Sequence, residues 1–215
     1  MTDFAAVLWD LDGTLVDTEP LWMGAEHELA EAYGRVWTTE DSLELVGSAL
    51  LPAGSIIRDK LDLPLTPGEI VDHLIERVVA GLAHEVPWQP GAVELIEALE
   101  AEGVPQALVT MSWAVIADPI AAVLPFGAVI TGDAVPRGKP HPDPYLLAAE
   151  RLDVDPTACL AIEDSSTGAA SASAAGCYVL GVPHAVPVPP GPRRTILPTL
   201  ADLTPADLRA LTFWA

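Results

Sequence analysis

Five short apolar runs, widely spaced, constrain this chain more than any other feature. They are Ala5–Trp9, Ala107–Thr110, Ala128–Thr131, Cys159–Glu163 and Cys177–Val182. Short apolar runs without alternation are the pattern of strands buried on both faces. Helical patterns lie between most of them. Gly91–Glu102 places Val93, Ile96, Ala98 and Leu99 near one face, and Pro144–Leu152 and Gly168–Ala175 are two more. Strands alternating with helices predict an α/β fold with a Rossmann-like, doubly wound parallel sheet.

Residues 17–87 break that rhythm, with helical periodicity and no convincing strand. A helix beginning near Asp17 continues through Glu26–Tyr33. Thr66-Pro67-Gly68-Glu69 is a helix start, with Thr as N-cap, Pro at the first helical position and Glu three residues after the cap. That helix runs through Ile70, Val71, Leu74, Ile75 and Val78 to Gly81. Pro87–Gly91 marks the return of the chain. The reading is a core of residues 1–16 and 88–215 with a helical cap of residues 17–87 inserted after the first strand. Six prolines between Pro183 and Pro198 exclude helix and central strand, so this tract reads as a surface loop. Thr204-Pro205-Ala206-Asp207 starts a last short helix through Leu208 and Leu211.

With 215 residues, half of them apolar and 19% charged, the chain can bury a sizeable core and is not generally disordered. Ten basic residues against 31 acidic ones give a formal charge of −21. That balance argues against nucleic acid and anionic membrane as partners, since both reward basic patches. Cys159 and Cys177 sit in apolar runs without a CxxC pair, which suits buried thiols in a reducing compartment. Asp3, Asp10 and Asp12 interrupt the N-terminal apolar stretch, which is unlike a signal peptide. A soluble, cytoplasmic protein is expected. No self-complementary apolar stripe is evident, so the expected state is a monomer.

The strand ends carry the chemistry. The first run leads into Asp10-Leu11-Asp12-Gly13-Thr14, two carboxylates and a tight turn at the edge where open α/β sheets bind ligands. A pair like this alone also fits a solvated Asp-Gly surface turn. The other strand ends change the balance. One ends at Thr110, followed by Met111 and Ser112, and another at Glu163-Asp164-Ser165, while Lys139 lies between them in Gly138-Lys139-Pro140. A hydroxyl, an ammonium and four carboxylates on one sheet edge are the inventory of Mg²⁺-assisted phosphoryl transfer. Metal and Lys neutralise charge there, and a carboxylate attacks phosphorus.

These four segments, in order and at strand ends, resemble the motifs of the haloacid dehalogenase superfamily, in its phosphatase and phosphomutase branch with a helical cap. The resemblance covers nearly the whole chain. It implies that Asp10 is a nucleophile forming an aspartyl-phosphate. Asp12 is then the acid for the leaving oxygen and afterwards the base that activates water, a role that calls for a raised pKa. Thr110 is implied to bind a phosphoryl oxygen, and Lys139 to pair with Asp10 and the phosphoryl group. Mg²⁺ is implied on Asp10, the backbone carbonyl of Asp12 and Asp164, with Glu163 as a direct or water-mediated partner. Backbone N–H groups after Asp10 and Thr110, around Gly13, Thr14, Met111 and Ser112, complete the implied phosphate cradle.

The cap separates the related activities. The sugar-phosphate mutases of this branch place a His in the first cap helix and an Arg after a cap Gly. Here Trp22 stands at the first place, and Val46-Gly47-Ser48-Ala49-Leu50-Leu51 contains no Arg. Both departures favour hydrolysis of a small phosphomonoester, with a sugar phosphate as the default; phosphoglycolate-type and nucleotide esters stay open. Mutase chemistry is the alternative. A phospho-accepting regulatory module is the alternative of another class, though it needs neither a cap nor Asp12. The retained Asp12 and Glu163-Asp164 argue against dehalogenation, and Lys60, beside Asp59, reads as a solvated residue rather than a Schiff-base lysine. Trp22 and Trp113 sit near the motifs and are candidate pocket residues, with ordinary packing as the alternative. Asp143 is expected to cap the helix starting at Pro144.

Overall fold

The structure is a computed structural model, and it describes residues 4–211. Six strands form one parallel sheet: β1 (Ala6–Trp9), β2 (Gln106–Val109), β3 (Ala128–Ile130), β4 (Cys159–Glu163), β5 (Tyr178–Gly181) and β6 (Arg194–Ile196), in the order β3-β2-β1-β4-β5-β6. Strands β1, β2 and β4 are buried along their whole length, as their continuous apolar character requires. Helices cover both faces. On one side α5 (Ala92–Ala101) and α6 (Ala114–Ala121) join a large apolar cluster with Trp9, Leu95, Leu99 and Ile116. On the other, α7 (Asp143–Leu152) and α8 (Ser166–Ala174) pack Tyr145, Ala148, Ala169 and Ala172 against Leu8, Val109 and Ala161. The helix α9 (Pro205–Arg209) closes the described chain.

Between β1 and α5 the chain makes only helices: α1 (Glu19–Ala32), α2 (Thr39–Leu43), α3 (Leu50–Leu61) and α4 (Pro67–His84). They have a hydrophobic cluster of their own, built on Leu29, Trp37, Ile57, Ile70 and Leu74. Thr66 and Glu69 form the reciprocal capping pair that the sequence signals. The start of α4 and of α9 was legible for this reason, since Thr204 and Asp207 do the same.

Three expectations are corrected. The tract from Pro183 to Pro198 contains β6, a three-residue strand on the sheet edge that fits between Pro192 and Pro198. An edge position tolerates the neighbouring prolines. The last helix ends at Arg209, so Leu211 packs on the core from outside it. Asp143 does not cap a helix at Pro144; it is the first residue of α7, and its carboxylate instead meets Arg137 and His141. The helix α6, for which the sequence analysis names no pattern, carries Pro119 inside it. Cys159 and Cys177 are buried free thiols. Among the described residues no helix is long and apolar enough to cross a membrane.

Candidate active site

Register brings the chemistry together. Trp9 pairs with Leu108 on one side and Ile162 on the other, and the Asp10 N–H donates to the Ile162 carbonyl at 3.0 Å. Asp10 therefore leaves the sheet level with Val109 and Glu163, between the two neighbours that feed the same edge. Lys139, on the loop between β3 and α7, reaches under it. Its ammonium donates to Asp10 Oδ1 at 2.6 Å, Glu163 Oε1 at 2.6 Å and the Val109 carbonyl at 2.8 Å. All three of its protons are used. Tyr145 completes the arrangement from α7, donating to the same Glu163 oxygen at 2.5 Å.

Burial sets the electrostatics. Asp10, Lys139, Glu163 and Asp164 are all buried. Burial pushes the Asp10 carboxyl up to about 8; Lys139 opposes that rise, and Glu163 and Asp12 add to it. Asp164 is likewise raised, by burial and then by Asp10 and Glu163. Burial alone pulls Lys139 down, but Asp10 and Glu163 together hold it above its ordinary range. Three carboxylates against one ammonium leave two negative charges without a partner. Buried charge in that state is costly unless a proton or cation offsets it.

A divalent cation fits this gap. Oxygens of Asp10, Glu163 and Asp164 lie within 4.8 Å of one another. Asp164 Oδ2 is buried and has no hydrogen-bond partner among the described residues. Gly13, at φ +83°, keeps space open beside it, since a Cβ there runs into the Asp164 carboxylate. Hard carboxylate oxygens are the ligand type Mg²⁺ takes. Glu163 Oε1 is already engaged by Lys139 and Tyr145, so Glu163 visibly holds the ammonium in place.

Asp12 is turned toward hydroxyls. Its Oδ1 accepts from Thr18 Oγ1 at 2.7 Å and Trp22 Nε1 at 3.2 Å; its Oδ2 accepts from Ser112 Oγ at 2.8 Å and Thr110 Oγ1 at 3.0 Å. An indole N–H only donates, so Oδ1 stays an acceptor whichever form the acid takes. The hydroxyls beside Oδ2 can donate or accept, so Oδ2 is where a proton can sit.

A cavity of about 80 Å³ opens over this floor. Asp10, Asp12, Lys139, Asp164, Met111 and Ser112 line it from the sheet edge, and Glu19, Trp22, Glu26 and Ser48 from the helical insert. Gly47, at φ +73°, lets the loop before α3 come down onto Ser165, where a Cβ would press on its Oγ. Thr110 and Glu163 stand fully buried behind the cavity wall. Gly13 and Thr14 lie outside it; their N–H groups bond Val16 and Leu11 carbonyls and shape the turn. Trp113 also lies outside it, partly buried against the core at the start of α6. Sequence reasoning missed Thr18, Tyr145, Ser165 and Glu26. Tyr145 had a signal, two residues past Asp143 in the segment after Lys139, but nothing in that segment says its hydroxyl reaches back to Glu163.

The chain is similar to known proteins along most of its length. The family described as haloacid dehalogenase-like hydrolase matches residues 4–176. A bifunctional riboflavin kinase/FMN phosphatase of Arabidopsis thaliana is 35% identical over 92% of this chain, which spans only 52% of that protein. The fructose-1-phosphate phosphatase YqaB of Escherichia coli is 32% identical, over 83% of this chain and 96% of its own. The crystal structure of CbbY from Rhodobacter sphaeroides in complex with phosphate superposes with a TM-score of 0.84 at 30% identity, covering 96% of this chain and 99% of that one.

Proposed function

The chain belongs to the haloacid dehalogenase-like hydrolases, and within that family we propose that it is a Mg²⁺-dependent phosphatase hydrolysing a small phosphomonoester, by default a sugar phosphate. The observation that carries this reading is the buried grip of Lys139 on Asp10 and Glu163, with Asp12 facing the same cavity. The names of relatives such as the fructose-1-phosphate phosphatase point the same way.

The chemistry needs two carboxylates in different roles. Asp10, fixed by Lys139 at Oδ1, attacks the phosphorus of the ester, and the bond from phosphorus to the alcohol oxygen breaks. Asp12 gives its Oδ2 proton to the departing oxygen. In the second half it takes a proton from water as that water attacks the phospho-aspartate. The Asp10–phosphorus bond breaks, and inorganic phosphate, the Asp10 carboxylate and a protonated Asp12 result. Lys139 offsets negative charge beside the transferred group, and Glu163 and Tyr145 keep it there. Asp10, Asp164 and the Asp12 carbonyl would hold Mg²⁺, with Glu163 direct or through water. When bound, the ion supplies charge neutralisation at the phosphoryl oxygens.

In this reading residues 17–87 are a cap that opens for substrate and closes to exclude water. Trp22 supports hydrolysis over mutase chemistry, because its donor-only N–H cannot relay a proton to a sugar hydroxyl. The test is phosphate release from p-nitrophenyl phosphate with Mg²⁺, with chelator, and with Asp10→Asn. Metal-dependent release that is lost by about 10⁴-fold or more in the folded mutant is expected. Normal turnover in Asp10→Asn refutes the nucleophile. No release from the folded, Mg²⁺-loaded protein counts against the phosphatase and leaves a mutase that needs a specific sugar activator or the phospho-accepting module.

A further inference from the structure

Among the described residues, the roof of the cavity carries carboxylates and no cation. Glu19 and Glu26, seven residues apart on α1 and so on one helix face, both line it. Glu26 is 5% exposed, and its two hydrogen bonds, from Trp37 Nε1 at 3.0 Å and Ser42 Oγ at 2.5 Å, converge on Oε2. Among the described residues Oε1 has no partner. Burial pushes Glu26 up against the pull of Ser42 and Trp37, and pushes Glu19 up to about 7 with help from Asp12, Glu26 and Asp17. Both acids therefore sit where water stabilises them poorly. The basic residues of the helical insert are occupied elsewhere: Arg35 on Asp62, Arg58 on Asp59, Lys60 on Asp41 and Glu44, and Arg77 on Glu28. None of the four lines the cavity, where Lys139 on the floor is the one cation among the described residues.

That layout gives the two ends of the cavity opposite demands. The floor accepts an anion. An anion at the roof finds two acidic side chains and no cation in a poorly solvated space, which is a heavy penalty. A neutral group with hydroxyls meets Glu26 Oε1, a carboxyl oxygen without a partner, with which a hydroxyl can pair as donor or acceptor. We infer that Glu26, seconded by Glu19, selects substrates by the charge of the part remote from the phosphate: a neutral, hydroxyl-bearing chain is taken, and a second phosphate or a carboxylate is refused. The inference rests on the phosphatase reading above and names its substrate class, a polyol or sugar monophosphate.

The test compares kcat/KM for neutral monophosphates (fructose 1-phosphate, sorbitol 6-phosphate) with fructose 1,6-bisphosphate and 2-phosphoglycolate, with p-nitrophenyl phosphate reporting the chemistry alone. Assays at low and at 0.5 M salt separate the local effect from long-range repulsion by the chain's net charge, which salt of that strength largely screens. The best neutral monophosphate is expected to exceed both anionic esters by at least about tenfold at either salt level. Glu26→Gln keeps an acceptor for Trp37 and Ser42 and should narrow that ratio about fivefold or more; Glu19→Gln, on a less buried residue, should narrow it as well. Equal turnover of mono- and bisphosphate, or a ratio unmoved in both variants, overturns the selection. Failure to hydrolyse any ester, p-nitrophenyl phosphate included, overturns the phosphatase reading instead.

Discussion

The floor and the roof of the cavity are built on different physical terms. On the floor a single ammonium ties buried groups together: the three protons of Lys139 go to Asp10, Glu163 and a backbone carbonyl, and Tyr145 ties Glu163 from behind, while Asp164 Oδ2 has no partner among the described residues. No member can be exchanged without stranding the rest. The roof rests on an apolar cluster of Leu29, Ile57, Ile70 and Leu74, with one polar group, Glu26–Trp37–Ser42, set into it. Apolar packing tolerates substitution that preserves volume. On the proposed reading, the difference teaches where chemistry and selectivity reside: the sheet edge would fix the reaction, and the helical insert would be free to vary what is admitted.

The sharpest way to break that contrast is to remove the central charge. Lys139→Ala strands three buried carboxylates and is expected to cost about 3–5 kcal/mol of stability in a urea melt. Glu26→Gln at the roof, which keeps its hydrogen bonds, is expected to cost under about 1 kcal/mol. Equal losses would mean that the floor is no more tightly determined than the roof.

Acidity offers a second test. Between its ordinary 3.8 and the value of about 8 in the fold, Asp10 holds a proton that the unfolded chain has released, and Asp164 is raised in the same sense. The native state then binds more protons, so the stability of the metal-free protein falls as pH rises through that window. Thermal melts should drop by several degrees between about pH 5 and 8, at about 2–4 °C per kcal/mol, and Mg²⁺ should flatten the slope. A melt that rises with pH in chelator would show that the floor carries no surplus of negative charge.

The smallest effect is expected where floor and roof meet. Trp22→Phe removes the donor that keeps Asp12 Oδ1 an acceptor while retaining the aromatic bulk. Turnover of alkyl phosphates, whose leaving oxygen needs a proton, should fall roughly tenfold, and that of p-nitrophenyl phosphate under about threefold. Equal falls on both would make Trp22 a wall of the cavity and nothing more.

Much of the floor was legible in the chain. Asp10, Thr110, Glu163 and Asp164 announce themselves because buried parallel strands are continuous apolar runs, and a polar residue where such a run stops must face the sheet edge. The starts of α4 and α9 were legible because their caps are local, three residues from donor to acceptor. Other parts had no local signal. Strand β6 is three residues long and exists only because the edge of β5 is there to pair with it. Glu26 looks like one more acid on an acidic helix; its burial depends on Trp37 and Ser42, which arrive from another element. Gly13 and Thr14 were expected in a phosphate cradle because the family resemblance implies it, and Trp113 because it is near a motif in sequence; none of the three lines the cavity, since the turn after β1 and the start of α6 place them beside it.

By itself, then, the sequence determined the α/β sheet, the insertion of helices after β1 and the identity of the groups at the strand ends. Those are written in periodicity and in strand-terminal residue types, which act over a few neighbours. Only the tertiary structure decided which oxygen of Asp12 faces the indole, that Tyr145 supports Glu163, and that the roof holds acids without a cation. Each of those depends on side chains separated widely along the chain that meet only when sheet and helices pack, and no local pattern encodes such a meeting.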